Sequence, residues 1–189
     1  MSKPTTRKLT ETALLLAAAT VLSMIQIEMP FGGGLTLCSM LPLVIVSHRY
    51  GTKWGVFSAF VYAVLQLLLG LNNVRYGNSA VMVLGIVFLD YIIAYTVLGL
   101  SAVFDGTVKN RRAAVAAGIV FSFFLRFLCH FFSGLWIWET LWPNGFGMAS
   151  AVYSAVYNGW YMGAETVLTV AVAMAIFKPL HSYFEPETA

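Results

Sequence analysis

The sequence is short of charge. Asp, Glu, Lys and Arg together make up 10% of its 189 residues, where a soluble domain usually carries about a quarter. With 59% hydrophobic residues and a mean hydropathy of +0.79, that scarcity excludes a water-soluble globule and a disordered chain alike. The chain reads as an all-α integral membrane protein. Cysteine is also scarce: Cys38 and Cys129 stand in separate apolar runs, which excludes a disulfide framework or a cysteine-built zinc centre and leaves both as small core residues. The net charge is only +3 and the basic residues are scattered, so no nucleic-acid groove is indicated. No GxxxxGK[ST] phosphate loop occurs, which excludes ATP hydrolysis by that machinery. No metal or cofactor is expected.

What is present is a series of apolar blocks near the length of about 20 residues that a bilayer-crossing helix needs. Six fit, at residues 9–27, 35–47, 54–71, 80–104, 113–138 and 149–177. The second is too short to cross alone. It tilts, takes in part of Gly32 to Gly34, or is partly irregular and shielded by its neighbours. The first block is long, follows Lys3, Arg7 and Lys8, and lacks a clear cleavage site, so it reads as a retained span. Alternate loops then place nine basic residues on one side, namely Lys3, Arg7, Lys8, Arg49, Lys53, Lys109, Arg111, Arg112 and Lys178, against Arg75 alone on the other. Lys and Arg collect in cytoplasmic loops. That partition favours a single six-helix membrane domain over residues 1–189 with both termini cytoplasmic.

Four ionisable residues fall deep inside spans, where charge is costly and by default faces a bundle interior or a wet cavity. They are Asp90, Arg126, His130 and Glu165. At 1.5 Å per residue, Asp90, Arg126, His130 and Asn158 all lie about 10 to 15 Å deep, which lets them share one cavity open to the outside, with Glu165 roughly 10 Å deeper than Asn158. Arg126 and His130 stand four apart on one helix face, which Trp138 extends towards the rim. Tyr153, Tyr157 and Tyr161 repeat the pattern on the sixth span. Asp90 with such rings suits a flat heteroaromatic cation, held by a carboxylate and by stacking and cation–π attraction. Trp136, Trp138 and Trp142 also fit an interfacial belt, to which Trp142 is assigned. Arg126 fits a structural pair with Glu165 or Asp90. Ala13 and Ala17 form a small-xxx-small stripe on the first span, suited either to another subunit or to packing inside the bundle.

Three stretches carry a specific likeness: GGGLTLCSMLPLVIVSHRYG at 32–51, LDYIIAYTVLGL at 89–100, and RFLCHFFSGLWIW with YSAVYNGWYM between 126 and 162. Over nearly its full length the chain resembles the S components of energy-coupling factor vitamin transporters, in particular the thiamin-specific ones. The resemblance implies a six-helix S-component bundle in a prokaryotic plasma membrane. Such a protein binds thiamin from outside and docks on a transmembrane scaffold subunit joined to two ATPase subunits. It further implies that Asp90 and Tyr91 hold the aminopyrimidine, that His130, Trp138, Tyr153 and Asn158 line the ligand, and that Tyr76 adds a ring. Ala13 and Ala17 then face the scaffold. Some relatives carry Glu at the Asp90 position and a tryptophan and an acid near Gly33 and Leu37. This chain has neither of the latter, so a lid role for Gly32 to Gly34 rests on backbone flexibility. A riboflavin- or pyridoxine-type S component, and an intramembrane enzyme built on Ser133, His130 and Asp90, are the rival readings.

Overall fold

A computed structural model describes residues 3–29 and 33–187. The first helix, α1 (Lys3–Ser23), leads into a two-stranded antiparallel hairpin, β1 (Gln26–Glu28) and β2 (Gly34–Thr36), in register Gln26↔Thr36 and Glu28↔Gly34. Then come α2 (Leu41–Tyr50) and α3 (Thr52–Leu69). The long helices α4 (Ala80–Ala102), α5 (Arg111–Leu141) and α6 (Ser150–Phe177) follow, and a single turn, α7 (His181–Phe184), comes last. Six main helices thus stand in the expected order. Four of them, α3 to α6, are long and apolar enough to cross a membrane.

Of the forms open to the second segment, the structure takes the partly irregular one shielded by its neighbours. Helix begins at Leu41, and the residues before it form the short strand β2 within an otherwise almost wholly helical fold. Glycine is a poor helix former, whereas Pro42 in the first turn suits a helix start because its missing N–H would be unpaired there anyway. The resulting α2 has 10 residues, about 15 Å at 1.5 Å each, roughly half a bilayer core. Every residue from Leu41 to Arg49 is buried, so its neighbours shield it on all sides.

The main core lies between α1, α2, α3 and turns of α4, α5 and α6, around Leu16, Met40, Tyr62, Leu98, Phe123 and Phe177. Burial of Thr12, Leu16, Ala19 and Ser23 shows which face of α1 packs inward; Ala13, Leu14, Ala17 and Val21 are exposed. One end of the bundle is tied by polar contacts. Arg49 donates to Glu11 and to the Ser182 carbonyl, Arg111 pairs with Asp105 at 2.7 Å and donates to the Phe184 carbonyl, and Phe184 is fully buried beneath them. The C-terminal turn therefore straps α1, α2 and α5 together at the basic end. At the opposite end lie the hairpin and the loop around Asn144.

Two of the long helices contain wider turns. Ile86–Ile92 in α4 and Gly134–Trp138 in α5 are π-helical, with i→i+5 hydrogen bonding. Such turns are rare in helices and concentrate at functional sites. Here they hold Asp90, Tyr91 and Trp138.

Candidate functional site

Helices α3 to α6 and the hairpin enclose a cavity of about 480 Å³. Asp90, Arg126, His130 and Asn158 all line it, as expected from their equal depth, and so do Tyr91, Trp138 and Tyr153. The cavity also reaches Glu165, which co-depth alone had set apart.

Asp90 is the hub of one end. Its Oδ2 accepts from Trp138 Nε1 at 2.8 Å, and its Oδ1 lies 3.3 Å from His130 Nδ1. This meeting depends on helix geometry. Trp138 follows His130 by eight residues, and at about 100° per residue a regular helix would swing it about 80° off the His130 face. The π segment Gly134–Trp138 advances less per residue and takes up that offset. Two side chains on one helix can then converge on one carboxylate of the next.

Gly134 serves the same region in another way. A Cβ there would stand 2.3 Å from Ser154 Oγ, so glycine lets α6 approach α5 closely. Across this contact Asn158 Nδ2 donates to the His130 carbonyl at 3.2 Å and to the Ser154 carbonyl at 2.9 Å, while its Oδ1 accepts from Tyr161 at 3.1 Å. Asn158 is thus largely engaged in joining α5 to α6. Tyr91 is similar: its hydroxyl donates to the Gly70 carbonyl at 3.1 Å and accepts from Asn73 at 3.0 Å, so its ring faces the cavity while its polar atom ties α4 to the end of α3.

At the other end, Arg126 lies 3.6 Å from Glu165 and sits over the Tyr95 ring, 4.7 Å from its centroid. Of the two structural pairings open to Arg126, the structure thus selects Glu165. Thr36 of β2 donates to the same Glu165 and bonds Ser39. A two-stranded hairpin is marginal alone, and this contact anchors it over the cavity. Gly33 completes the closure. Its φ of +78° is a left-handed conformation, and a Cβ there would meet the Tyr161 ring at 2.4 Å. Gly33 and Gly34 line the cavity, whereas Gly32 lies outside the described residues.

Two aromatic expectations change. Trp142 is no mere belt residue. It lines the cavity and stacks on Trp138 with centroids 5.5 Å apart and planes 9° from parallel. Tyr76 does not line the cavity; it packs edge-on against Trp142 at 4.9 Å and Trp138 at 6.5 Å, and reaches the site through them. Tyr153 faces the cavity with its ring against Phe146 and Tyr157. Residues that the sequence reading did not single out also line it, among them Gln66, Tyr95 and Glu139. Their signal was weak: a glutamine within an apolar helix and an acid at a helix end both pass as ordinary.

The Ser133, His130 and Asp90 arrangement of the rival enzyme reading does not form. Ser133 Oγ has no hydrogen-bond partner, so no Ser–His–Asp chain forms, and no group of three metal-ligating acids, histidines or cysteines occurs among the described residues. Two buried ring or carboxylate atoms at the cavity, His130 Nε2 and Glu139 Oε2, have no protein partner. Buried polar atoms are seldom left so, and open positions beside stacked rings are what a polar, flat ligand would fill.

Comparison with known proteins shows the family and the fold. The model of the family described as Thiamine transporter protein (Thia_YuaJ) matches residues 9–185. The chain is 28% identical over 182 residues to the thiamine transporter ThiT of Bacillus subtilis, covering 90% of each. It is 29% identical over 178 residues to ThiT of Lacticaseibacillus paracasei, covering 86% of this chain and 82% of that one. A solved structure of ThiT from Listeria monocytogenes superposes with a TM-score of 0.78 over 97% of this chain and 100% of the other, at 20% identity, and shows the same fold. The chain belongs to the thiamine transporter protein family.

Proposed function

We propose that the chain is a thiamin-binding S component of an energy-coupling factor importer, a single six-helix membrane domain that captures thiamin from outside. The observation that carries this reading is Asp90, held by His130 and Trp138 beside a stacked tryptophan pair, in a cavity of about 480 Å³. A carboxylate there anchors the aminopyrimidine by charge-assisted hydrogen bonds. His130 presents its free Nε2, Tyr91 and Tyr153 provide ring walls, and Trp138 with Trp142 flanks the thiazolium by stacking and cation–π attraction. Asn158 holds α5 and α6 at the spacing the ligand requires. Tyr76 supports the tryptophans from behind.

The import motor lies elsewhere. With no phosphate loop of its own, the chain docks on a transmembrane scaffold subunit bearing two ATPase subunits, through the exposed Ala13 and Ala17 of α1. Exposure of both alanines, beside the face that buries Thr12, Leu16 and Ala19, supports docking over packing within the bundle. Nine basic residues on one side support a multi-pass protein of a prokaryotic plasma membrane with both termini cytoplasmic.

Calorimetry on detergent-solubilised protein tests the reading. Thiamin should give one site, and mass spectrometry of the purified protein should find unaltered thiamin. Heat with riboflavin or a pyridoxine-like ring and none with thiamin would overturn the assignment.

A further inference from the structure

The charges around the cavity do not balance. Its lining includes the acids Asp90, Glu139 and Glu165 and the cation Arg126, together with His130. Arg126 and Glu165 pair with one another. That leaves two carboxylates, Asp90 and Glu139, with no permanent cation against either among the described residues. Their hydrogen bonding differs. Both oxygens of Asp90 are met by protein, one by His130 and one by Trp138. Glu139 uses only Oε1, which accepts from the Asn144 backbone N–H at 3.1 Å and from Asn144 Nδ2. Its Oε2 is buried with no partner.

Glu139 is also held in place. Asn144, which anchors it, in turn accepts from the backbone N–H groups of Phe146 and Met148 at 3.2 Å each, so the loop after α5 is folded around this one side chain. The residue directly follows Trp138 and precedes Trp142 by three, the two rings that stack in the cavity wall. An exposed acid would need no such support. A carboxylate oxygen buried without a donor costs free energy that a cation can offset.

The geometry points to Glu139 as the counter-charge that makes the site select a permanently cationic ring. This rests on the thiamin reading above, since thiamin's thiazolium nitrogen is quaternary and carries its charge without a proton. Asp90 then anchors the neutral aminopyrimidine by hydrogen bonds, and Glu139 reads the charge of the second ring. A ligand of the same shape with an uncharged ring would leave Glu139 Oε2 unmet and bind less tightly.

The test compares thiamin with its neutral thiophene isostere, in which the thiazolium nitrogen is replaced by carbon, on wild-type protein and on Glu139→Gln. Glutamine keeps an oxygen for Asn144 but removes the charge. Wild type should prefer thiamin over the isostere by 10-fold or more, and Glu139→Gln should lose about 10-fold in thiamin affinity with under 2-fold change for the isostere, so that the preference collapses. A wild type that binds both ligands equally overturns the inference whatever the variant does. So does a Glu139→Gln protein that weakens both equally or neither. Failure of wild type to bind thiamin at all would instead strike the thiamin reading itself, and with it the inference.

Discussion

Two buried acids share one cavity and are held in opposite ways. Glu165 meets a cation, Arg126 at 3.6 Å, and a hydroxyl from Thr36. Asp90 meets an imidazole and an indole N–H, and no Lys or Arg. A buried ion pair neutralises itself, and removing one member leaves the other uncompensated. A carboxylate held only by neutral donors is fixed in direction but keeps its charge available. The first arrangement serves the fold, because it joins α5, α6 and strand β2 at one point. On the thiamin reading proposed above the second serves a ligand, because an incoming positive or hydrogen-bond-donating group would complete it.

The largest effect should come from splitting the compensated pair. Glu165→Leu strands the Arg126 guanidinium in the bundle and should cost about 3–5 kcal/mol of stability, read as a large fall in melting temperature in detergent without ligand. Adding Arg126→Met should recover most of it, since a buried pair replaced by apolar residues of similar volume is often neutral. A double variant as unstable as the single one would show that the two residues are not coupled. Asp90→Asn should behave the other way. The ligand-free protein should melt close to wild type, while thiamin affinity falls by about 1–3 kcal/mol, roughly 5- to 150-fold. Lost stability with intact affinity would place both acids in the same class and erase the contrast.

The contrast was only half legible in the sequence. Depth along the helices placed Asp90, Arg126, His130 and Asn158 together, because counting residues at a fixed rise needs no tertiary information. Which acid Arg126 would choose was not readable, since both lie within reach of a long flexible side chain and the choice is made by packing. The π segments were equally hidden. Nothing in IVFLDYI or GLWIW marks an i→i+5 turn, yet the register that brings Trp138 and His130 onto one carboxylate depends on one. The start of α2 was misplaced because an apolar run from Leu35 onwards looks continuous, whereas the glycines before it and Pro42 within it shift the helix start to Leu41. Trp142 shows a related limit: a tryptophan near a helix end has the same sequence signature whether it only anchors in lipid headgroups or, as here, also stacks at a cavity rim while half exposed.

The stacked tryptophans give a smaller, sharper comparison. Trp138 contributes a ring and an N–H to Asp90, whereas Trp142 contributes a ring alone. Stacking is worth about 0.5–1.5 kcal/mol and a hydrogen bond to a charged group about 1.5–3 kcal/mol. Thiamin titrations should therefore rank Trp138→Ala below Trp138→Phe, with Trp142→Ala the mildest of the three. If Trp138→Phe binds as tightly as wild type, the indole N–H does not orient Asp90, and the difference between the two acids must come from His130 alone.

The smallest effect on binding should come from α1. Ala13 and Ala17 are exposed and lie beside the face that packs Thr12, Leu16 and Ala19 inward. Neither alanine lines the cavity. Small residues four apart let a second helix approach closely, and a bulky side chain in that stripe prevents it. Ala13→Trp and Ala17→Trp should thus leave thiamin affinity within about 2-fold of wild type, inside the range usual for surface changes. Uptake by cells that carry the scaffold and ATPase subunits should nonetheless fall, because capture and delivery use opposite parts of the molecule. Measuring both quantities on the same variants separates the two roles. Loss of binding together with uptake would mean that the stripe packs within the bundle, and full uptake with either tryptophan in place would move the docking surface off this face of α1.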